Sequence, residues 1–280
     1  MPATGGLQNA VRAGKEVGCD AVQVFTKSPM QWRARPIEEA EVEAFWQAQI
    51  ETGIPAVVAH DTYLINPAAE KPDLLEKSRR ALVEEMARCA LLRIPYVVMH
   101  LGARGEASEA AAEDRLIGSV AYTLEHSPPG PTLLLETMAG QGKYLGATFE
   151  ELARVLAAVD GGERLAVCLD TCHIFAAGYD LRTPETYAET MARFDEVIGL
   201  EQIKIIHAND SQKALGSRVD RHDAIGAGEL GLDAFRALLT DERLAAVPVL
   251  LETPKKDEMD PVNLAALRRA AGLLPPADEE

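Results

Sequence analysis

The chain has 280 residues, of which 47% are hydrophobic, and a formal net charge of −16 at pH 7. This length suits one large α/β domain, and no run of about 18 apolar residues indicates a membrane span. The acidic balance disfavours a protein that binds nucleic acid through a basic surface alone, although bound metal ions would concentrate positive charge in a site. We expect a cytoplasmic protein without a signal peptide, and four cysteines without a C-x-x-C pair predict reduced thiols.

The hydrophobic pattern predicts alternating helices and strands from the start of the chain. A helix at 7–17 precedes a strand at 21–25, and further helices are predicted at 37–53, 74–92, 107–126, 148–159, 183–198, 232–239 and 262–273. The intervening strands are apolar throughout, as in a parallel sheet covered on both faces. We predict one TIM (β/α)8 barrel over residues 1–274 and an acidic tail at 275–280. Only seven strands are counted, so we expect the barrel's first strand to be missing through a start assigned downstream.

Six apolar runs each end in a residue type that binds metals. These residues are His60, His100, Glu136, Asp170, His207 and Glu252. Successive end points are 34 to 45 residues apart, the period of a strand, a helix and two loops. The carboxyl ends of barrel strands meet at one face, so we expect the six side chains to converge there.

Two further segments extend this set to nine candidates. His173 follows the strand end at Asp170, while Asp220 and His222 are two positions apart and face one side of an extended segment. Imidazole and carboxylate ligands without paired thiolates suit zinc, manganese or iron, and more than one ion suits phosphoryl displacement. We exclude His126, which is predicted at a helix end, and we expect Cys172 to have a packing role.

Four strings around these residues resemble the endonuclease IV family of apurinic/apyrimidinic (AP) endonucleases. They are HDTYLIN at 60–66, ETMAGQG at 136–142, CLDTCH at 168–173 with AAGYD at 176–180, and HANDS at 207–211 with GSRVDRH at 216–222. The resemblance runs from Thr4 to about Glu252. It implies a zinc-dependent enzyme of base excision repair that uses metal-bound hydroxide to hydrolyse the phosphodiester 5′ to an abasic site, leaving a 3′-hydroxyl and a 5′-deoxyribose phosphate.

The resemblance also implies three zinc ions per chain and a role for each ligand. One ion would be bound by His60, His100 and Glu136. The second, bridged to the first by Glu136, would be bound by Asp170, His207 and Glu252. The third would be bound by His173, Asp220 and His222. Glu136 and Glu252 are the expected catalytic residues.

The implied partner is double-stranded DNA that contains abasic sites, bound by a monomer that associates with the nucleoid while it acts. The resemblance places Tyr63 and Leu64 in the duplex near the lesion. Other residues suited to contacts with the DNA backbone are Gln31, Trp32, Arg33, Arg218 and Arg221. The sequence departs from the family at Met30, where a basic residue is common, and at Leu101–Ala103, where Pro-Gly-Ser is usual.

Two other functions fit parts of the pattern. A metal-dependent sugar isomerase or epimerase uses a similar barrel, but such sites typically bind one or two ions through carboxylates and few histidines. A non-catalytic binder of damaged DNA would have little need of nine ligands. The Asp220–His222 pair and the five histidines therefore favour the nuclease.

Overall fold

In the computed structural model, residues 1, 3–254 and 259–275 are described. The strands are β1 (Ala21–Val24), β2 (Ala56–His60), β3 (Tyr96–Met99), β4 (Thr132–Glu136), β5 (Leu165–Asp170), β6 (Ile203–His207), β7 (Asp210–Ser211), β8 (His222–Asp223) and β9 (Val249–Leu250). The α-helices are α1 (Leu7–Glu16), α2 (Glu39–Thr52), α3 (Pro72–Leu92), α4 (Glu109–His126), α5 (Phe149–Ala158), α6 (Thr171–Ala177), α7 (Pro184–Val197), α8 (Gly231–Leu239) and α9 (Met259–Ala270).

The main sheet has seven strands in the order β1-β2-β3-β4-β5-β6-β9. The pairs from β1 to β4 are parallel, and so is the pair β6–β9. Each strand lies beside the next one of the main sheet in chain order, with helices in the connections, which is the topology of a TIM barrel. The described residues therefore give the seven main strands that the sequence predicts, while β7 and β8 form a separate antiparallel pair.

The described residues form two compact units. The first comprises residues 1–136, 143–145 and 151–167, and the second comprises residues 137–142, 146–150 and the described part of 168–280. The single domain over residues 1–274 remains a prediction, and residues 276–280 of the predicted tail lie outside the described residues. Over the described ranges, no helix has both the length and the apolar character needed to cross a membrane.

Capping residues explain where several helices begin. Thr183 caps the start of α7 in a capping box. Its side chain accepts a hydrogen bond from the Thr186 backbone N–H, and the Thr186 side chain accepts one from the Thr183 backbone N–H. The short helix α6 has no counterpart in the predicted pattern, because no loop separates it from β5. Asp170 ends β5 and also caps α6, where its Oδ1 accepts a 2.7 Å hydrogen bond from the His173 backbone.

A buried polar network connects α3 to the segment that follows β1 in the first unit. The side chain of Glu85 is fully buried, and its Oε1 accepts a 2.6 Å hydrogen bond from Thr26 Oγ1. Lys27 Nζ lies 3.9 Å from Glu85 Oε2. Burial raises the pKa of Glu85 to about 7, and the shift is only partly opposed by Thr26, Lys27 and Arg88.

We predict that Glu85→Gln changes how stability depends on pH. The folded-state pKa of Glu85 lies above the usual 4.5, so its contribution to stability is fully present below about pH 4.5 and is lost as the pH rises through 7. The amide does not titrate. The free energy of unfolding of the variant, relative to that of wild type, should therefore rise by up to about 3 kcal/mol as the pH increases across this range. Urea denaturation at several pH values measures this gain. The control is Glu76→Gln at an exposed position of α3. A difference in unfolding free energy between Glu85→Gln and wild type that does not vary with pH would contradict the prediction.

Candidate metal centre

Two histidines and one carboxylate meet at the ends of β2, β3 and β4 in the first unit. The Nε2 atoms of His60 and His100 both lie 3.1 Å from the same oxygen, Oε2 of Glu136. The two imidazole rings are almost perpendicular, with centroids 5.0 Å apart. Glu136 is fully buried, whereas the His100 side chain is 25% exposed and gives this cluster an open side.

The electrostatics of this cluster favour a positive charge. Burial lowers the pKa of His60, but hydrogen bonds with Asp61 and Glu136 and the charges of these groups outweigh it, so the pKa lies well above its usual range. A divalent cation between the histidines and Glu136 would meet the same electrostatic demand. Asp61 was not among the predicted site residues, although its position next to His60 was a usable signal.

A second cluster lies in the second unit, at the ends of β5, β6 and β9. His207 Nδ1 lies 3.3 Å from Glu252 Oε2 and 3.8 Å from Asp170 Oδ2. Asn209 supports both carboxylate residues, because its Nδ2 donates to Asp170 Oδ2 at 2.6 Å and its Oδ1 accepts from the Glu252 backbone at 2.8 Å. The sequence places Asn209 within a string shared with the family but gives it no role.

The third cluster joins α6 to β8, also in the second unit. The two oxygens of Asp220 lie 3.3 Å from His173 Nε2 and 3.3 Å from His222 Nε2. The predicted placement of Asp220 and His222 toward one side of an extended segment therefore agrees with the geometry. The backbone of Asp220 is fixed by a 2.9 Å hydrogen bond to Gln141 Oε1.

Three of the histidines are oriented in the same way. Nδ1 of His60, His173 and His222 is within hydrogen-bonding distance of a backbone oxygen, at 2.9, 2.8 and 3.1 Å respectively. If Nδ1 carries the proton and donates it to that oxygen, Nε2 is left with a lone pair. This arrangement, in which the second ring nitrogen fixes the tautomer, is typical of metal-binding histidines.

The distances within the clusters fit a shared metal ion. Ligands bound at about 2 Å to one tetrahedral ion lie about 3.3 Å from one another, which matches the 3.1–3.3 Å between each Nε2 and its nearest carboxylate. His222 Nε2 is buried and makes no hydrogen bond to any described residue, although Asp220 lies nearby. A shared cation would satisfy it, so the residues present fit a bound metal.

Cys172 and His126 differ in their relation to these clusters. The Cys172 Sγ lies within 4.8 Å of ligand atoms of Asp170 and His222. Burial and the charge of Asp170 raise the pKa of its thiol to about 12, and no second cysteine lies in the clusters formed by the described residues. His126 stacks on Tyr122 at the end of α4 and is half-exposed, outside all three clusters.

The predicted DNA contacts are mostly accessible. Tyr63 is 58% exposed and its ring packs edge-on against Phe25 in the first unit, where Gln31 and Arg33 are also exposed while Trp32 and Leu64 are half-buried. In the second unit Arg218 and Arg221 are exposed. Arg218 adopts a left-handed backbone conformation, with φ of 55°, and its N–H donates to the Ala176 carbonyl at 2.9 Å.

Comparisons with known proteins agree with the resemblance in the sequence. The family described as a xylose isomerase-like TIM barrel matches residues 11–274. A protein named probable endonuclease 4 from Chloroflexus aggregans is 49% identical over 271 residues, covering 96% of this chain and 95% of that protein. Another with this name, from Geobacter sulfurreducens, is 46% identical over 274 residues, covering 96% of this chain and 92% of that protein.

Among solved structures, the degree of sequence identity distinguishes members of the same family from proteins that share only the fold. Endonuclease IV from Thermus thermophilus matches with a TM-score of 0.85 and 38% identity, covering 95% of this chain and 94% of that one. A D-tagatose 3-epimerase-like protein matches with a TM-score of 0.75 but 18% identity, covering 96% and 94%, which shows the fold alone. The predicted TIM barrel is confirmed, and the chain belongs to the endonuclease IV family of enzymes.

Proposed function

We propose that this enzyme is a zinc-dependent AP endonuclease of base excision repair. It hydrolyses the phosphodiester 5′ to an abasic site and leaves a 3′-hydroxyl and a 5′-deoxyribose phosphate. The proposal depends above all on the spacing of the imidazole and carboxylate ligands, because the Nε2–oxygen distances of 3.1–3.3 Å suit shared divalent ions. Its family relatives named endonuclease 4 supply the class of reaction.

Each cluster would hold one zinc ion. The first would be held by His60, His100 and Glu136. The second would be held by Asp170, His207 and Glu252, with Glu136 as a shared ligand. The third would be held by His173, Asp220 and His222. The imidazole and carboxylate donors suit zinc, manganese or iron, and the family resemblance favours zinc among them.

Bound zinc supplies Lewis acidity, which lowers the pKa of a coordinated water to about 7 and stabilises oxyanions. Glu252 is the residue best placed to orient the attacking water and to accept its proton. Its side chain is 24% exposed, so a substrate phosphate can approach it, and Asn209 fixes its backbone. Glu136 is fully buried, which suits a ligand that stays in place while the phosphate reacts.

Recognition of the lesion requires a nucleotide to leave the base stack. An abasic nucleotide has no base to unstack, so turning it out of the duplex costs less than for an intact one. Exposed Tyr63 and its neighbour Leu64 would fill the space left in the duplex, as apolar wedges do in other DNA-binding proteins. Contacts with DNA phosphates would come from exposed side chains, namely Gln31, Arg33, Arg218 and Arg221, together with the half-buried Trp32.

We further propose that the enzyme acts as a monomer on chromosomal DNA in the cytoplasm. A sugar isomerase or epimerase is the alternative activity on this fold. The match to an epimerase-like protein at 18% identity supports only the fold. The third cluster of two histidines and Asp220 adds an ion that the sugar reaction does not require.

The first test is incision of a duplex oligonucleotide that carries one tetrahydrofuran abasic analogue, by the zinc-loaded protein. We expect one cut 5′ to the analogue and a 3′ end that a polymerase extends. The analogue cannot undergo β-elimination, so this product requires hydrolysis. An intact duplex of the same sequence is the control, and turnover of a ketose sugar without any cut would replace the proposal with the epimerase.

We predict that Glu252→Gln reduces incision by at least about 10²-fold, because the amide cannot accept the proton from water. The far-ultraviolet circular dichroism spectrum should remain that of wild type, since this side chain is partly exposed. Glu229→Gln, at a position outside the three clusters, provides the control for loss of a carboxylate. Incision by Glu252→Gln at the wild-type rate would rule out this role.

We predict that His222→Ala removes one zinc ion from the protein. The third cluster then keeps only His173 and Asp220, and two protein ligands bind zinc weakly. Elemental analysis after dialysis should fall from three ions to two per chain. His126→Ala, at a histidine outside the clusters, should keep all three, and an unchanged zinc content in His222→Ala would contradict the ligand assignment.

A further inference from the structure

Residues 27–35 form most of the segment between β1 and α2 and are termed the β1–α2 loop. It carries three of the residues proposed to contact DNA, which are Gln31, Trp32 and Arg33. A cavity of about 650 Å³ lies beside the loop and is lined by loop residues and by residues of the chain start. Gln31, Arg33 and Arg35 are exposed, so this part of the loop depends on contacts with neighbouring elements for its shape.

Arg88 of α3 provides such an interaction. Its Nη2 donates to the Thr26 carbonyl at 2.5 Å and its Nη1 donates to the Arg35 carbonyl at 3.0 Å. Its Nε donates to Thr26 Oγ1 at 2.9 Å. Thr26 immediately precedes the loop and Arg35 is its last residue, so one guanidinium joins the two ends. The rigid fork of donors makes arginine suited to hold two carbonyl groups at once.

Other contacts hold the same geometry. The Thr26 hydroxyl donates its own proton to Glu85 Oε1 at 2.6 Å, so Arg88, Thr26 and Glu85 form a hydrogen-bonded chain. Lys77 Nζ lies 4.2 Å from the centre of the Trp32 ring. Lys77, Glu85 and Arg88 are separated by eight and three positions, which places them on one face of α3. This face of the helix supports both the ends and the middle of the loop.

We propose that Arg88 is a positioning residue for DNA recognition. By joining Thr26 to Arg35 it closes the β1–α2 loop and presents Gln31, Trp32 and Arg33 in a fixed arrangement to the DNA backbone beside the abasic site. The DNA part of this inference rests on the proposed function. Without Arg88 the loop would have to be ordered during binding, so DNA affinity would fall while the metal centre and the chemical step remain.

The closure of the loop is tested without DNA by Trp32 fluorescence in the full-length, zinc-loaded protein. The chain has two tryptophans, so Trp46→Phe leaves Trp32 as the single reporter. In this background, Arg88→Met should raise the acrylamide quenching constant of Trp32 about twofold or more, because the loop opens to solvent. The matched control is Arg80→Met, which removes an exposed arginine of the same helix paired with Glu76. Quenching equal to that of the control would overturn the proposal.

The effect on recognition is tested by steady-state incision of the tetrahydrofuran duplex. Arg88→Met should raise KM about tenfold while kcat stays within about twofold, because loop ordering is added to the cost of binding. The zinc content should not change. Arg88→Lys keeps the charge but lacks the fork and should recover only part of the loss. Full recovery with lysine would overturn the proposal, since charge alone would then suffice.

Two further outcomes are separated by this design. If wild-type protein does not cut the duplex, the proposed function fails, yet the Trp32 measurement still decides whether Arg88 closes the loop. If Arg88→Met does not fold, Thr26→Val removes the hydroxyl that joins Arg88 to Glu85 and leaves both carbonyl contacts of Arg88. Thr26→Val should raise both the Trp32 quenching constant and KM, each by less than the increase predicted for Arg88→Met. No change in either quantity would overturn the proposal.

Discussion

The site depends on the balance of charge among buried groups. Glu136 and Asp170 have fully buried side chains at strand ends, and an unpaired buried carboxylate is strongly destabilising. Each faces imidazoles, and hydrogen bonds and charges of Asp61 and Glu136 raise the pKa of His60 despite its burial. Placing these carboxylates in the interior therefore requires compensating positive charge or hydrogen bonds. A bound cation would therefore also stabilise the arrangement of the strand ends.

The barrel topology explains why a short sequence pattern predicted so much. Residues at the carboxyl ends of parallel strands are brought to one face by the fold itself, so six strand-end residues could be predicted to converge, while the family resemblance grouped His60, His100 and Glu136. The same reasoning predicted the seven main strands, because apolar runs that recur at the spacing of a strand and a helix indicate a parallel sheet. The bounds of the helices differ from the predicted ones mainly at the ends, where caps rather than periodicity decide.

Features that depend on contacts across the chain were not predictable. The helix α6 was missed because Asp170 serves as strand end and helix cap within one residue. Asn209 forms hydrogen bonds with Asp170, 39 residues before it, and with Glu252, 43 residues after it. Local periodicity does not indicate contacts over such separations. The contact of Arg88 with Thr26 is similar, since a polar residue on a helix otherwise reads as part of a solvated face. Tertiary contacts, rather than propensity, determine these roles.

The left-handed backbone of Arg218 has an evolutionary consequence. A residue with a side chain is strained by about 1–2 kcal/mol at this φ, whereas glycine is not. Selection for thermal stability alone would therefore favour glycine at this position and would discard the exposed guanidinium. Arginine at this position therefore costs a little folding stability and provides an exposed cation. Laboratory evolution toward higher melting temperature should thus be monitored at this codon, because improvement there would come with weaker attraction to polyanions.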